Sequence, residues 1–434
     1  MMSNKKTSSG GRSSTARFLL AVTVVALLII VGRILTSNGP WPWETQPPLT
    51  PPQAPAVTPV PPSETPLANA PTVTPKAPTA TPKAPTARPK APTATPVAGM
   101  PGWLKVYFTN PDPPDNTQNG IDQIVVSALD SATQTIDVTS FDLNLPSVVN
   151  ALVEASQRGV KVRVVTDEEN GSLDLEAKLS PGNKAFKTLS VLKAAKIPVV
   201  DGGRTNGLMH DKIIIIDGET LFVGSWNMSY NDTFRNNNNL LQITDPLVIA
   251  NYQVKFNDLF VNKHFGTHAD MGALKHSLSI DGVQVENYFA PADEVMQKLV
   301  QYVKGSRKSI RFMVFTYTHP DLAEAMIAQH KAGVDVQGVI ERRGASQGAL
   351  VPLFVAKLPV KVDGNKYTMH HKVMIIDNSI VVTGSFNFTD AADTSNDDNV
   401  LVIHSPVVAA LYLQEFERVN SIAQTPSASD VEWR

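Results

Sequence analysis

The chain has 434 residues, no cysteine and a formal net charge of −2. The lack of cysteine excludes disulfides, a thiolate nucleophile and Cys-based zinc sites, so an exported form must be stabilised by its hydrophobic core. Residues 1–101 hold nine Lys/Arg against two Asp/Glu, which leaves 29 basic and 38 acidic residues, a net charge of about −9, for the rest. A broad basic surface for duplex nucleic acid is therefore not expected.

Residues 18–35 form an apolar run behind a basic segment, residues 1–17. We interpret the run as a single-pass signal-anchor, because the residues that follow it contain no small-x-small cleavage site. The basic segment is then cytoplasmic, and the remainder lies on the outer side of the cell membrane. The alternative is a cleaved signal peptide and a secreted protein.

Residues 36–101 are rich in Pro, Thr and Ala. Of the 33 prolines, 20 lie between Pro40 and Pro101, and the pattern Lys-Ala-Pro-Thr-Ala-x-Pro recurs every seven residues from Lys76 to Pro96. Such a segment buries little apolar surface. It predicts an extended, disordered linker between the membrane and a folded region.

The folded region contains two halves with the same predicted order: a helix, a strand, a helix, a strand, and then a hairpin. The helices are predicted at Gly120–Asp130, Val148–Gln157, Asp293–Lys304 and Leu322–Gln329, and the strands at Gln134–Phe141, Gly159–Asp167, Ser309–Phe315 and Gly333–Glu341. Alternating strands and helices predict an α/β fold built in layers. The first half has 14 extra residues before its hairpin, around Asn170–Lys187, where we expect a loop or a short helix.

The hairpins carry a polar repeat at a constant separation of 160 residues. The matched positions are His210/His370, Lys212/Lys372, Asp217/Asp377, Gly224/Gly384, Ser225/Ser385, Asn227/Asn387 and Asn239/Asn399. Because alternate residues of a strand share a face, each His should project with its Lys, while Asp211 and His371 point the other way. Each copy thus offers an imidazole, an ammonium, a hydroxyl and an amide, a set that suits an anionic cluster of oxygens.

The pattern His-x-Lys-x4-Asp-x6-Gly-Ser resembles the HKD motif of the phospholipase D superfamily, and both copies contain it in full. The second copy, at Gly384–Thr389, is particularly similar to the small bacterial members that include the Nuc-type endonucleases. The resemblance covers about residues 103–420. It implies two homologous α/β/α halves, which we place at 102–265 and 266–425, packed about a pseudo-twofold axis with both motifs in one cleft. Residues 426–434 are then a tail.

The resemblance also implies roles for the site residues. Lys212, Lys372, Asn227 and Asn387 would stabilise the phosphodiester transition state. One histidine would attack phosphorus to form a phosphohistidine, and the other would act as general acid and base. No metal or cofactor is then required, because the lysines supply the positive charge.

In the family a carboxylate about 28 residues beyond the motif His orients the histidine of the opposite half. Asp398 occupies that position in the second half and Asn238 in the first. We therefore expect Asp398 to accept a hydrogen bond from His210, which makes His210 the nucleophile and His370 the general acid/base. Supporting roles are expected at Asp217, Asp377, Ser225, Ser385, Asn239 and Asn399. Other histidines, including His371, are interpreted as surface or loop residues, and Trp226 as a channel or core residue.

The expected function is hydrolysis of phospholipid phosphodiester bonds by a monomer. The membrane tether and the acidic catalytic region favour a lipid substrate. The alternative is a cell-surface Nuc-like endonuclease acting on DNA or RNA, with a local basic groove formed by Lys212, Lys372, Arg342 and Arg343. A phosphatidyltransferase and an inactive binding module are the remaining alternatives.

Overall fold

The computed structural model describes residues 98–432, except residues 119 and 273. The chain divides into two units, 1–83 and 84–434, and every described residue belongs to the second. The predicted anchor at 18–35 and almost all of the linker at 36–101 lie outside the described residues. Within the described part, no helix has both the length and the apolar character needed to cross a bilayer. Met100 already packs against the core, so ordered packing begins before the predicted start at residue 102.

The first half contains a mixed sheet and helices. Its strands are β1 (Leu104–Phe108), β2 (Thr135–Ser140), β3 (Lys161–Thr166), β4 (Asp174–Leu175), β5 (Phe186–Lys187), β6 (Val199–Asp201), β7 (Ile213–Ile216), β8 (Thr220–Gly224) and β9 (Asn239–Ile243). Its helices are α1 (Asp122–Ser131), α2 (Pro146–Gln157), α3 (Thr188–Ala194), α4 (Tyr230–Phe234) and α5 (Pro246–Asn257). Seven strands form the main sheet, and β4 and β5 pair separately.

The second half repeats this plan. Its strands are β10 (Ser277–Ile280), β11 (Val283–Ala290), β12 (Ser309–Val314), β13 (Asp335–Ile340), β14 (Val360–Val362), β15 (Lys372–Ile376), β16 (Ile380–Gly384) and β17 (Asp398–His404). Its helices are α6 (Val295–Gly305), α7 (Pro320–Lys331), α8 (Leu350–Val355), α9 (Asp390–Thr394), α10 (Pro406–Ile422) and α11 (Ala428–Val431).

The two sheets have the same strand order. The first contains β9-β8-β7-β2-β3-β6, and the second contains β17-β16-β15-β12-β13-β14. In both, the three strands with helical crossovers pair in parallel, and the motif hairpin adds to them in the antiparallel sense. This shared order confirms that the polar repeat in the sequence reflects a duplicated architecture.

The buried apolar side chains of the described residues form three hydrophobic clusters. Ile213 and Ile215 of β7 face a central cluster that also contains residues of the second sheet, whereas Ile214 faces a cluster within the first half. The central cluster includes Tyr252 of α5 and Tyr412 of α10. The α/β prediction is therefore confirmed, with the two sheets sharing one core through these two helices.

Several elements differ from the sequence prediction. Asn239, the last matched position of the repeat, begins β9, and its Nδ2 donates to Oγ1 of Thr383 at 2.8 Å inside the protein. The insertion around Asn170–Lys187 contains two short 3-10 helices, as the prediction of a loop or short helix allowed, and also the β4/β5 pair, which was not predicted. The predicted tail contains α11, whose Asp430 binds Arg342 of the second half.

Candidate active site

Each motif histidine lies next to the first residues of a central strand and pairs with the opposite half. The amide of His210 donates to the carbonyl of Asp397 at 2.9 Å, and the amide of His370 donates to the carbonyl of Asn237 at 2.9 Å. Met209 and Asp397 form an isolated parallel bridge, as do Asn237 and Met369. Both motifs therefore meet along a single seam between the halves.

The imidazole rings also bind across this seam. Nδ1 of His210 lies 2.7 Å from Oδ1 of Asp398, which is the contact that the sequence predicted. Nδ1 of His370 lies 2.9 Å from Oδ1 of Asn238, whose Nδ2 donates to the carbonyl of Asp232 and thereby fixes the amide orientation. Because both oxygens accept, Nδ1 carries the proton in each neutral ring, and Nε2 keeps a lone pair.

The serines of the repeat support these two acceptors. Ser385 Oγ donates to Oδ1 of Asp398 at 2.6 Å, and Ser225 Oγ donates to Oδ1 of Asn238 at 2.9 Å. Each serine thus holds the residue that orients the histidine of the other half. The matched serines act on the same hydrogen-bond chain as the histidines.

The motif lysines are buried beside the histidines. Lys212 Nζ donates to the carbonyl of His210 at 2.5 Å, and Lys372 Nζ donates to that of His370 at 2.9 Å. Each lysine thus contacts the backbone of its own histidine. The strand pattern predicted that the two side chains project together, but β7 begins after Lys212 and β15 begins at Lys372, so both histidines lie just before their strands.

Two phenylalanines that the sequence analysis did not single out complete this layer. Phe141 packs edge-on against His210 at 5.3 Å and lies 5.5 Å from Lys212 Nζ. Phe315 makes the same contacts with the second motif, at 4.8 Å and 4.7 Å. Each phenylalanine is the last residue of a predicted strand, at the same place in both halves. This shared position was the sequence signal that could have identified them.

The basic groups of the site repel one another. Burial and the charges of Lys372 and Lys212 hold the pKa of His370 well below its ordinary value. Burial and Lys212 also lower the pKa of His210, although Asp398 opposes this shift. Burial and the charge of Lys212 lower the pKa of Lys372 as well. An anionic group between the two motifs would relieve this repulsion, so the site is electrostatically suited to a phosphodiester.

The two motif asparagines have different surroundings. The backbone N–H and Nδ2 of Asn227 both donate to Asp232, at 3.0 and 2.6 Å. The matched position in the second half is Ala392, and Oδ1 of Asn387 is buried without a hydrogen-bond partner among the described residues. Asp232 also lies 3.6 Å from Nδ1 of His370. This carboxylate was missed because it has no counterpart in the repeat.

Asn239 and Asn399 lie behind the histidines and reach across the seam in opposite senses. Nδ2 of Asn399 donates to Asp211 at 2.7 Å, whereas Oδ1 of Asn239 accepts from His371 at 3.3 Å. His371 is fully buried and binds Glu415 at 2.8 Å, so its interpretation as a surface or loop residue is wrong. The reverse face of each motif lies against the interior rather than solvent.

Carboxylates at the ends of two parallel strands hold the motif backbones. The amide of Met209 donates to Asp167 at 3.2 Å, and that of Met369 donates to Glu341 at 2.8 Å. Asp167 and Glu341 are the last residues of two matched predicted strands. This shared position was the sequence signal that could have identified them. These contacts fix the residue directly before each histidine.

Asp217 and Asp377 lie at the hairpin turns, away from the histidines. Asp217 accepts the N–H groups of Thr133, Gln134 and Thr135, all at 2.8 Å. Asp377 makes the equivalent bonds to the amides that begin β12. Their geometry ties each motif hairpin to the next strand.

Glycine at 224 and 384 is required by close backbone approach. A Cβ at Gly224 would lie 2.3 Å from the carbonyl oxygen of Asn239, and one at Gly384 would lie 2.2 Å from that of Asn399.

Trp226 is a core residue, 1% exposed, and its indole N–H donates to Oγ1 of Thr233. Arg342 is not free to line a groove, because it binds Asp430 and Gln424.

Comparison with known proteins identifies the family. The sequence profile described as "Cardiolipin synthase, PLD-like domain" matches residues 125–260 and 299–420, more than half of the chain. The chain therefore belongs to the phospholipase D-like family. Within the described residues, no three His, Asp or Glu side chains are arranged to hold a metal ion.

Relatives and solved structures agree with this assignment. The chain is 33% identical over 129 residues to a mitochondrial cardiolipin hydrolase of Xenopus laevis, a match that covers 29% of this chain and 61% of the relative. It is 31% identical over 160 residues to a phospholipase D of Rickettsia bellii, covering 36% of this chain and 80% of the relative. The phosphatidylserine synthase of Haemophilus influenzae shares the fold, with 13% identity, a TM-score of 0.59 and coverage of 76% of this chain and 89% of that one.

Proposed function

We propose that this protein hydrolyses phosphodiester bonds through a phosphohistidine intermediate, without a metal ion. The observation that carries the proposal is the pair of buried histidines, one from each half, each with Nδ1 bound by the opposite half and Nε2 left for chemistry. Two buried lysines beside them supply the positive charge that the transition state needs.

The first step is assigned to His210. Its Nε2 attacks phosphorus, a P–N bond forms, and the P–O bond to the leaving alcohol breaks. His370 gives a proton to the departing oxygen. Asp398 supports this assignment, because its carboxylate stabilises the positive charge that His210 acquires, whereas Asn238 offers His370 only an amide. Burial raises the pKa of Asp398, but the charge of His210 and their hydrogen bond outweigh it, so Asp398 remains ionised.

The second step releases the phosphoryl group. Water attacks phosphorus and passes a proton to His370 as the P–N bond breaks, which returns both histidines to their starting states. His370 has a lowered pKa on its own, so its service as an acid depends on the bound anion, whose charge favours the protonated ring. Lys372 and the side-chain amide group of Asn387 are suited to bind the nonbridging oxygens.

A phospholipid is the substrate class we favour. The curated relatives named as cardiolipin hydrolase and phospholipase D support it, although the chain covers 61% of the first of them. We further propose that residues 18–35 anchor the protein in the cell membrane, with the catalytic region outside. Carbonate extraction and protease accessibility of intact cells test this: a protein released by carbonate would instead indicate a secreted form.

The decisive test uses the purified full chain with a chelator present throughout. A generic aryl phosphodiester, phospholipid vesicles, and single-stranded and duplex DNA are compared as substrates. Cleavage of the aryl ester and a lipid is expected. Cleavage of DNA alone would establish the nuclease alternative, and activity that the chelator abolishes would contradict the metal-free mechanism.

A further inference from the structure

The two sides of the site differ in charge where the repeat would make them alike. Each motif follows a rim formed by the end of a parallel strand and the loop before the histidine. On the first-motif rim, Glu168 and Glu169 follow Asp167 at the end of β3, and Asn206 lies in the loop before His210. On the second-motif rim, the corresponding residues are Arg342 and Arg343, which follow Glu341 at the end of β13, and Lys366, which lies in the loop before His370. The first rim is thus acidic and the second basic.

Two cations of the second-motif rim are directed outward. The side chain of Arg343 is 60% exposed, and it is held by Glu341 and by Thr368, which lies two residues before His370. Lys366 is exposed and has no acidic partner within residues 98–432. Lys366 precedes His370 by four positions, so their Cα atoms are at most about 15 Å apart.

An aromatic support fixes this rim in place. The guanidinium of Arg235 lies between the rings of Tyr230 and Tyr367, 5.1 and 4.8 Å from their centroids. Asp115 neutralises Arg235 at 2.5 Å, so this arginine holds Tyr367 rather than a ligand. Tyr367 in turn lies 5.4 Å from Nζ of Lys366. A ligand can therefore reach Lys366 and the outward-facing side chain of Arg343, which keeps its ion pair with Glu341.

The first-motif rim offers nothing comparable. Its basic residue, Arg204, is directed inward, where it binds Asp397 at 3.0 Å and the carbonyl of Ser395. Glu168 and Glu169 are exposed beside it. A substrate with a second negative charge is therefore repelled from the His210 side and attracted to the His370 side.

We propose that the second-motif rim binds a phosphate carried by the leaving alcohol. The inference rests on the proposed function, in which His370 protonates that alcohol and so faces its side of the scissile bond. A guanidinium and an ammonium are the side chains that bind phosphate best. The preferred substrate is then a diester whose departing alcohol is anionic, and a diester with a cationic departing alcohol is disfavoured.

The test compares three lipids with identical acyl chains in vesicles, using the full chain. Cleavage releases an anionic alcohol from cardiolipin, a neutral one from phosphatidylglycerol and a cationic one from phosphatidylcholine. We expect kcat/KM to fall in that order. Arg343→Gln/Lys366→Gln should reduce the preference for cardiolipin over phosphatidylglycerol about tenfold or more, because two charge-assisted contacts are lost.

Matched variants separate a local contact from a general charge effect. Lys331→Gln/Lys357→Gln removes two exposed positive charges elsewhere in the second half and should leave the preference unchanged. If it lowers the preference as much, or if wild type cleaves phosphatidylcholine as well as cardiolipin, the rim does not bind the leaving group.

The aryl phosphodiester distinguishes this failure from failure of the proposed function. If the aryl diester is cleaved and the three lipids are cleaved at equal rates, only the proposal for the second-motif rim fails. If the aryl diester, the lipids and DNA all remain uncleaved, the proposed function and the proposal for the rim both fail. If only nucleotides are cleaved, a dinucleoside monophosphate is compared with the same molecule carrying a second phosphate on its departing nucleoside. The rim then predicts faster cleavage of the second, and equal rates would contradict it.

Discussion

The two halves share a strand order but place different side chains against their common seam. Each pair of matched positions is separated by 160 residues: Asp398 and Asn238, Asp397 and Asn237, Asp211 and His371, Lys255 and Glu415, and Asp232 and Ala392. The backbone bridges across the seam are nevertheless the same on both sides. The backbone plan thus tolerates a reversal of charge, provided that every buried group finds a partner of the opposite kind.

Substitution of the two motif histidines should have the largest effect on activity. His210→Asn and His370→Asn should each lower kcat by about three orders of magnitude or more, as loss of a nucleophile or a general acid does. They should differ with an aryl diester, whose leaving group needs no acid. His370→Asn should then accumulate an acid-labile phosphoryl adduct, detected by mass spectrometry, and His210→Asn should not. Adduct formation in His210→Asn would reverse the assignment.

The next effect concerns Lys255, a buried cation whose matched position in the second half is Glu415. Lys255 is fully buried and binds Asp397 at 2.8 Å. Burial lowers the pKa of Lys255, but Asp397 and Asp211 outweigh it and raise the pKa above its ordinary value. Asp397→Asn should reduce the free energy of unfolding by about 3–5 kcal/mol, because it leaves the ammonium poorly paired. Urea-induced unfolding measures this loss.

A double variant checks that explanation. Lys255→Met/Asp397→Asn removes both charges and should recover part of the stability that Asp397→Asn loses. If the double variant is less stable than Asp397→Asn by the full cost of a second lesion, the two groups do not stabilise each other.

A smaller effect is expected from the residue that accepts the hydrogen bond of each motif histidine, which is Asp398 for His210 and Asn238 for His370. Asp398→Asn should lower kcat/KM about 10–100-fold, since it makes the acceptor of His210 resemble that of His370. Asp398 also holds the pKa of His210 above the value that burial and Lys212 alone would give. His210 must be unprotonated to attack, so activity falls as pH drops through its pKa. In Asp398→Asn the acid limb of the pH profile should move to lower pH.

The mirror variant sharpens this result. Asn238→Asp places a carboxylate on His370 instead, and it should leave the acid limb assigned to His210 nearly unmoved. An equal shift of that limb in both variants would mean that the limb does not report His210.

The smallest effect tests what the halves have in common. Asp217→Ala and Asp377→Ala each remove an acceptor of three backbone N–H groups at a partly exposed turn. Each should cost about 1–2 kcal/mol of stability, because the freed amides remain partly hydrated. Thermal unfolding should show similar losses for both, with kcat little changed. A large loss of kcat in one alone would show that the turns are not equivalent.

The sequence predicted the features that depend on local pattern or on exact repetition. The motif hairpins and the helices that precede them came from residue pattern and spacing, whereas the contact between Asp398 and His210 came from the family resemblance. The sequence did not predict the role of Asp232 or the burial of His371, because neither has a like counterpart in the repeat. The role of Asp232 depends on its approach to His370 of the other half. The burial of His371 depends on Glu415, 44 residues further along the chain, and on Asn239 of the other half.

The seam also bears on how such a site can evolve. In a symmetric dimer of one polypeptide, every substitution occurs twice, so both copies of a site must change together. Joining the copies in one chain removes that restriction. Here the position that orients one imidazole holds an acid and its matched position holds an amide, a difference that a symmetric homodimer cannot have. The linked halves can therefore present two histidines with different acceptors in one site.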